Sequence, residues 1–185
     1  LVTGQRLSEV LHASWPEIDR AEKLLTVPAE RFKSNAEHRV PLSDLAMEII
    51  EALPRFDGGP FLFSVKKGAS AGTGIGKAKK DLNALVLVEL REIGRKRGEA
   101  EADVLRPFVN HDMRRVIKSQ MSALRVPDEI SEYVIGHGKK GLKRVYDQHR
   151  YLDEMREAMQ RWADRLRMIT NPPSGSNVVV MKRVS

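Results

Sequence analysis

The stretch Leu24-Leu25-Thr26-Val27-Pro28-Ala29-Glu30-Arg31-Phe32-Lys33-Ser34-Asn35-Ala36-Glu37-His38-Arg39-Val40-Pro41-Leu42-Ser43 holds two short strand-forming runs, a polar turn between them and a helix cap at its end. Leu24 to Val27 and His38 to Val40 read as strands, with Lys33-Ser34-Asn35 at the turn that joins them. Ile18 supplies a third short strand just upstream, so the region predicts a small antiparallel sheet. Downstream, Ser43 caps a helix whose apolar stripe is Leu45, Ile49, Ile50 and Leu53, ending at Pro54.

Outside this region the periodicity is helical nearly everywhere. Leu7, Val10 and Leu11 predict a helix from about Gln5 to Ser14, stopped by Trp15-Pro16, with Arg6 in its first turn. Phe56-Asp57-Gly58-Gly59-Pro60 reads as a turn before the apolar run Phe61-Leu62-Phe63, and a long helical pattern covers Ile75 to Arg97. The acidic stretch Glu99 to Asp103 reads as a solvated connection. Asn110 is placed to cap a helix with inner face Met113, Val116, Ile117, Met121 and Leu124, stopped before Pro127. Pro127-Asp128-Glu129 opens a short helix through Val134 that Gly136 closes, and another helix is expected through Val145 and Tyr146. Leu152, Met155, Met159, Trp162 and Leu166 form the stripe of a long amphipathic helix. The predicted fold class is therefore mainly α with a small three-stranded antiparallel β-sheet.

The remaining segment, Asn171-Pro172-Pro173-Ser174-Gly175-Ser176, is a linker, and Val178 to Met181 beyond it is either a strand that joins a sheet edge or a disordered tail. The 185 residues suit one full core with a tail better than two large domains. The chain opens without Met, directly into helix-like sequence, which suggests a region of a longer protein.

Thirty-two Lys and Arg against twenty-five Asp and Glu leave a charge of +7, which favours a polyanionic partner, nucleic acid or an acidic membrane surface. No apolar run is long enough for a membrane span and no secretory signal opens the chain, so a cytosolic or nucleoid-associated setting is expected. The absence of cysteine excludes disulfides, thiol catalysis and thiolate metal sites, and the five histidines lack metal-pair spacing. No metal and no cofactor are expected. Gly72-Thr73-Gly74-Ile75-Gly76-Lys77 fits neither the phosphate-loop nor the dinucleotide pattern, because Ala71, Lys77 and Ala78 stand where those motifs need other residues. It reads as a basic loop, with Lys66, Lys67, Lys77, Lys79 and Lys80 near DNA phosphates or simply solvated.

Several side chains could do chemistry, and each has an ordinary reading beside the chemical one. His111 and Arg114, three apart in a helical first turn, can hold one phosphate between them or merely form a solvated helix end paired with Asp112. Arg6 is followed by Glu9, which either orients the guanidinium or makes a common helical ion pair. Lys33 sits at a hairpin tip from which an ammonium can reach a neighbouring site, though most hairpin lysines are only solvated. His137 lies just past a helix end, where capping competes with catalysis. Tyr146 stands in Lys143-Arg144-Val145-Tyr146, where positive charge favours a phenolate, though an amphipathic core tyrosine is the ordinary reading; Tyr151 is its rival and Tyr133 reads as structural.

The order Thr3-Gly4-Gln5-Arg6-Leu7-Ser8-Glu9-Val10, Lys33 before His38-Arg39-Val40-Pro41-Leu42-Ser43, then His111-Asp112-Met113-Arg114-Arg115, Gly136-His137 and Val145-Tyr146-Asp147 resembles the catalytic domain of the tyrosine recombinases, the phage-integrase family. The text from Tyr151 to Asp164 is similar to the bacterial and prophage integrase branch. The resemblance covers residues 1–168, with 169–185 as linker and tail, and departs from the family at Val116, where a hydroxyl residue is usual. It implies a catalytic domain that lacks its amino-terminal DNA-binding region, while the linker followed by Val178 to Val180 suggests, on its own, a tail that docks on a neighbouring protomer. It further implies Arg6 and Arg114 on the non-bridging oxygens of a scissile phosphate, Tyr146 as nucleophile and Lys33 as proton donor to the departing 5′ oxygen. His111 would assist proton transfer with Tyr146, and His137 would hydrogen-bond the phosphate. The implied activity is site-specific integration or excision through a 3′-phosphotyrosyl intermediate, by a homotetramer on paired sites in double-stranded DNA. Two rivals remain: a type IB topoisomerase, which shares the chemistry, and a non-catalytic basic DNA-binding module.

Overall fold

The computed structural model describes residues 1–33, 35–73, 75–99, 105–137 and 151–172. The elements run α1 (Leu7–Leu11), a 3-10 turn (Trp15–Glu17), β1 (Ile18–Asp19), β2 (Leu24–Val27), β3 (His38–Pro41), α2 (Asp44–Glu51), α3 (Ile75–Arg97), α4 (Asn110–Ala123), α5 (Asp128–Val134) and α6 (Leu152–Thr170). The mainly helical architecture with one three-stranded antiparallel sheet, ordered β1-β2-β3, is the one expected from the pattern. The expected helix through Val145 and Tyr146, and the strand or disordered tail at Val178 to Met181, lie outside the described residues.

The sheet register explains what the hairpin buries. Leu25 faces Val40 and Val27 faces His38 across β2 and β3, so these four side chains share one face of the pleat. That face packs on α2, which Ser43 caps as predicted by accepting the Ala46 N–H. Leu25, Val27, Phe32, Val40, Leu42, Ala46, Met47, Ile50 and Leu62 form one apolar cluster. The stripe of α2 is turned slightly from the prediction, leaving Ile49 44% exposed.

A second cluster joins α4, α5 and α6 through Ile117, Met121, Ile130, Tyr133, Met155, Met159, Trp162 and Leu166. α6 lies at the centre of the molecule, touching α2, α4, α5 and β3. Trp162 is 1% exposed, and truncating an aromatic so placed costs about 3–5 kcal/mol. Long α3 stands largely in solvent, with Gly94 its one buried residue among those described. Among the described residues no helix is long and apolar enough to cross a membrane.

Three local expectations need correction. α1 stops at Leu11, because Ala13 and Ser14 turn away to pair with Leu62 and Phe61. Val109, not Asn110, is the N-cap of α4, and Asp112 accepts the Val109 N–H at 2.8 Å. Val116 is 45% exposed, and the inner face it was expected to share is taken by Arg114 beside Ile117 and Met121. Tyr133 is structural as expected, 2% exposed and stacked on Tyr151 with ring centroids 5.5 Å apart.

Candidate functional site

The segment Gly4-Gln5-Arg6 runs along the seam between the two clusters. Gly4 has φ +68°, and a Cβ there would stand 3.0 Å from Ile117 Cδ1, so glycine lets the backbone lie directly on α4. The Gln5 amide, almost fully buried, donates to the Val134 carbonyl at 2.8 Å and to the Thr3 carbonyl at 2.9 Å. Its oxygen meets His38 Nε2 at 3.1 Å, so one side chain ties the helical cluster to the sheet. Arg6 follows as the N-cap of α1. A single buried carboxylate, Glu9, accepts both the Arg6 backbone N–H (2.9 Å) and its guanidinium (2.8 Å). At 2% exposure Glu9 is a buried anchor with two fixed donors, more than a surface ion pair.

Arg114 projects from the inner face of α4 to the same seam and is 5% exposed. Its Nη1 donates to the Gly4 carbonyl at 2.7 Å and its Nη2 to the Ile135 carbonyl, which fixes the plane of the guanidinium. Nη2 also lies 3.3 Å from His137 Nε2. Arg114 Nε is buried with no hydrogen-bond partner among the described residues. His137 reaches this position because Gly136 has φ +72° and sits on the hairpin: a Cβ there would come 2.7 Å from Phe32 Cζ and 3.2 Å from His38 Nε2. Phe32 in turn stacks on His38, with centroids 4.5 Å apart, and lies 5.5 Å beneath the Arg6 guanidinium.

Arg6, Arg114 and His137 are thus gathered at one seam, next to the residue preceding Lys33. Lys33 is exposed on the β2–β3 connection, and His111 is exposed in the first turn of α4, one turn before Arg114. Neither makes a hydrogen bond to the other three among the described residues. Asp112, which could have neutralised Arg114, is committed to the Val109 N–H and to Arg115 at 3.4 Å. Tyr146 and the turn residue Ser34 lie outside the described residues. The lysines after the glycine-rich stretch belong largely to α3, and Lys79 is held by Asn83 and by the Phe108 ring, 3.2 Å from its centroid.

Four supporting residues escaped the sequence reading. Gln5 and His38 are buried polar groups whose partners lie in other elements. Glu132 meets His137 Nδ1 at 3.3 Å, and Lys118 holds Glu132 at 2.6 Å. The Asp-x-x-x-Glu spacing of Asp128 and Glu132 on α5 was a usable sign that one helix face presents two carboxylates to a cation.

The electrostatics of the seam favour an anion. Burial, and then the nearby Arg6 guanidinium, lower the pKa of Arg114, opposed by Glu9 and Glu132. Burial, and then Arg114, lower the pKa of His137, with Glu132 pulling the other way. Two cations held close by carbonyls and a carboxylate repel each other until an anion binds between them, and such fixed donors are what stabilise developing charge on a phosphate. Among the described residues no three His, Asp or Glu side chains are grouped so as to hold a metal ion.

Comparison with known proteins gives a consistent result. The sequence model described as the phage integrase family matches residues 1–152. The chain is 30% identical over 182 residues to prophage integrase IntA of Escherichia coli (strain K12), covering 97% of this chain and 39% of that protein. It is 28% identical over 167 residues to the integrase of Shigella phage Sf6, covering 88% of this chain and 38% of that protein. Prophage integrase IntS of Escherichia coli (strain K12) is likewise 28% identical over 167 residues, with the same coverage. The chain therefore spans about two-fifths of the length of these curated relatives. No solved structure matches.

Proposed function

From the premise that this chain belongs to the phage integrase family, we propose that it carries the catalytic region of a site-specific recombinase that cuts and rejoins double-stranded DNA through a tyrosine nucleophile. The observation that carries this reading is the buried Arg114 lying 3.3 Å from His137, at the seam where Glu9 holds Arg6.

In this reading the Tyr146 phenol oxygen attacks phosphorus and the bond to the 5′ oxygen breaks, leaving a 3′-phosphotyrosyl link and a 5′ hydroxyl. Arg6 and Arg114 bind the non-bridging oxygens, and the Nε–H of Arg114, which has no partner among the described residues, is a further donor for one of them. His111 takes the phenolic proton, Lys33 supplies a proton to the departing 5′ oxygen, and His137 hydrogen-bonds the phosphate. Attack by a 5′ hydroxyl from a partner strand reverses the chemistry and rejoins the DNA. The phosphodiester energy is conserved in the protein link, so the steps call for no nucleotide or metal. Recombination of two duplexes needs four such sites, which supports a homotetramer on paired sites. The segment 174–185 is proposed to dock on a neighbouring protomer.

The test is a covalent-complex assay. The full-length protein is incubated with negatively supercoiled plasmid DNA, quenched with detergent and scored for protein linked to nicked DNA. The wild type is expected to give a detergent-stable complex and Tyr146→Phe none. A complex equally abundant in Tyr146→Phe overturns the assignment of the nucleophile. Relaxation by a monomer without strand exchange would favour the topoisomerase reading, and salt-sensitive binding with no covalent complex would favour the basic DNA-binding module.

A further inference from the structure

Glu132 makes two contacts at the seam whose chemistry determines the state of His137. Its Oε2 lies 3.3 Å from His137 Nδ1, and its Oε1 lies 2.6 Å from Lys118 Nζ. The His137 backbone N–H also bonds to the Glu132 carbonyl at 2.8 Å, so the two residues are locked at both main chain and side chain. Lys118 is held in place by the Asp128 carboxylate at 2.6 Å and the Ser131 hydroxyl at 2.7 Å. The carboxylate is thereby fixed from α4 and from its own helix α5, and only one side chain oxygen is left for the imidazole.

An ionised carboxylate only accepts hydrogen bonds and a guanidinium only donates them. Glu132 at Nδ1 therefore requires the proton on Nδ1, while Arg114 Nη2 at Nε2 requires a lone pair there. Both neighbours select the same tautomer, from opposite sides of the ring. We infer that Glu132, clamped by Lys118, is a positioning residue for the reaction: it fixes His137 as the Nδ1–H tautomer and aims Nε2 at the phosphate-binding arginine. This inference rests on the recombinase reading for its catalytic meaning.

The arrangement also says how a phosphate can be accommodated. A phosphate oxygen is an acceptor, so His137 can serve it only after Nε2 takes up one proton from solvent. The resulting imidazolium lies between the Glu132 carboxylate and the phosphate, both negative, and Arg114 Nη2 is released from the ring to bind the same anion. A carboxylate behind the imidazole thus does for this histidine what orienting partners do for catalytic histidines generally.

Glu132→Gln is the informative change because it is nearly isosteric and reverses the hydrogen bonding. Lys118 can donate only to the carbonyl oxygen of the new amide, which turns the NH2 group, a donor, toward His137 Nδ1. The experiment reads imidazole 15N shifts of His137 in the wild type, Glu132→Gln and Lys118→Met. It also measures the rate of covalent-complex formation with negatively supercoiled plasmid by the full-length protein. The wild type is expected to show the Nδ1–H tautomer and the Gln variant a shift toward Nε2–H; complex formation by the Gln variant should be about 10- to 100-fold slower at unchanged DNA affinity, because a neutral amide no longer stabilises the imidazolium that must form against the phosphate. Lys118→Met, which frees the carboxylate without removing it, should move both readouts the same way and less far. An Nε2–H tautomer in the wild type, or unchanged tautomer and rate in both variants, overturns the inference. Failure of the recombinase reading looks different: the wild type itself gives no covalent complex, while the tautomer still shifts on Glu132→Gln.

Discussion

A guanidinium that spends its terminal N–H groups on backbone carbonyls cannot follow a substrate, and this defines the role of Arg114. Its bonds to Gly4 and Ile135 hold α4, the start of the chain and the end of α5 in one relation, and the same bonds point its remaining donors. An ammonium has neither the planar fork nor an Nε–H, so Arg114→Lys should lose more than a charge-conserving change usually does. We expect covalent-complex formation to fall on the order of 10²- to 10³-fold, the scale seen when one preorganised donor is removed. Thermal unfolding should drop as well, because at least one of the two carbonyls becomes a buried acceptor without its partner. A Lys variant with wild-type rate would mean that Arg114 only braces the fold. Arg6 differs in kind: it is partly exposed and its guanidinium is held by Glu9, so its orientation depends on a carboxylate where that of Arg114 depends on peptide groups.

At the scale of elements, the turn after α5 matters most, because it must present His137 while its backbone rests on the hairpin. Gly136→Ala should be harmful twice over. The φ of +72° strains any side chain, and the new methyl would overlap Phe32, which has no free space in a cluster where it is 2% exposed. A stability loss of about 1–3 kcal/mol is expected in denaturant unfolding. The rate of complex formation should fall too, since relief of the clash must move either the histidine or the ring beneath Arg6. An Ala variant as stable as the wild type would show that the turn relaxes freely. This contact also shows why the elements were more legible in the sequence than the site. The three strands, the Ser43 cap and the span Ile75 to Arg97 follow from patterns a few residues long, and the structure has them as expected. The early end of α1 depends on Phe61 and Leu62, some fifty positions away, and no local pattern announces it. Placing Val116 inward on α4 assumed that an apolar residue outranks an arginine for the buried face. Arg114 takes that face because carbonyls from two other segments satisfy it. Gln5 and His38 went unread for the same reason, since their partners are distant in sequence, whereas Glu132 meets His137 only five positions on and its spacing from Asp128 was a legible sign.

At the scale of the molecule, the site lies where two apolar clusters meet, and its geometry lasts only while they move together. α6 touches elements of both, and a few residues join them directly. Gln5 reaches the Val134 carbonyl on one side and His38 on the other, and Val2 is the apolar residue packed against both. A buried amide in this place does not strengthen either cluster by itself; it makes opening one costly to the other. Gln5→Ala would leave the Val134 carbonyl and His38 Nε2 without this partner, a cost of about 1–3 kcal/mol. The two tryptophans report the two sides separately: Trp162 lies in the helical cluster, and Trp15 packs against the sheet cluster. With Trp15→Phe and Trp162→Phe as single-reporter backgrounds, denaturant unfolding should give coincident transitions while Gln5 is present, as expected of one cooperative unit. Adding Gln5→Ala should lower both midpoints and separate them. The sheet side should open first, because its cluster has fewer large side chains than the helical one, which holds Trp162, Tyr133 and three methionines. If the transitions stay coincident after Gln5→Ala, packing, across α6 and at Val2, couples the clusters without the amide. Arg6 would then keep its place opposite Arg114 without the amide.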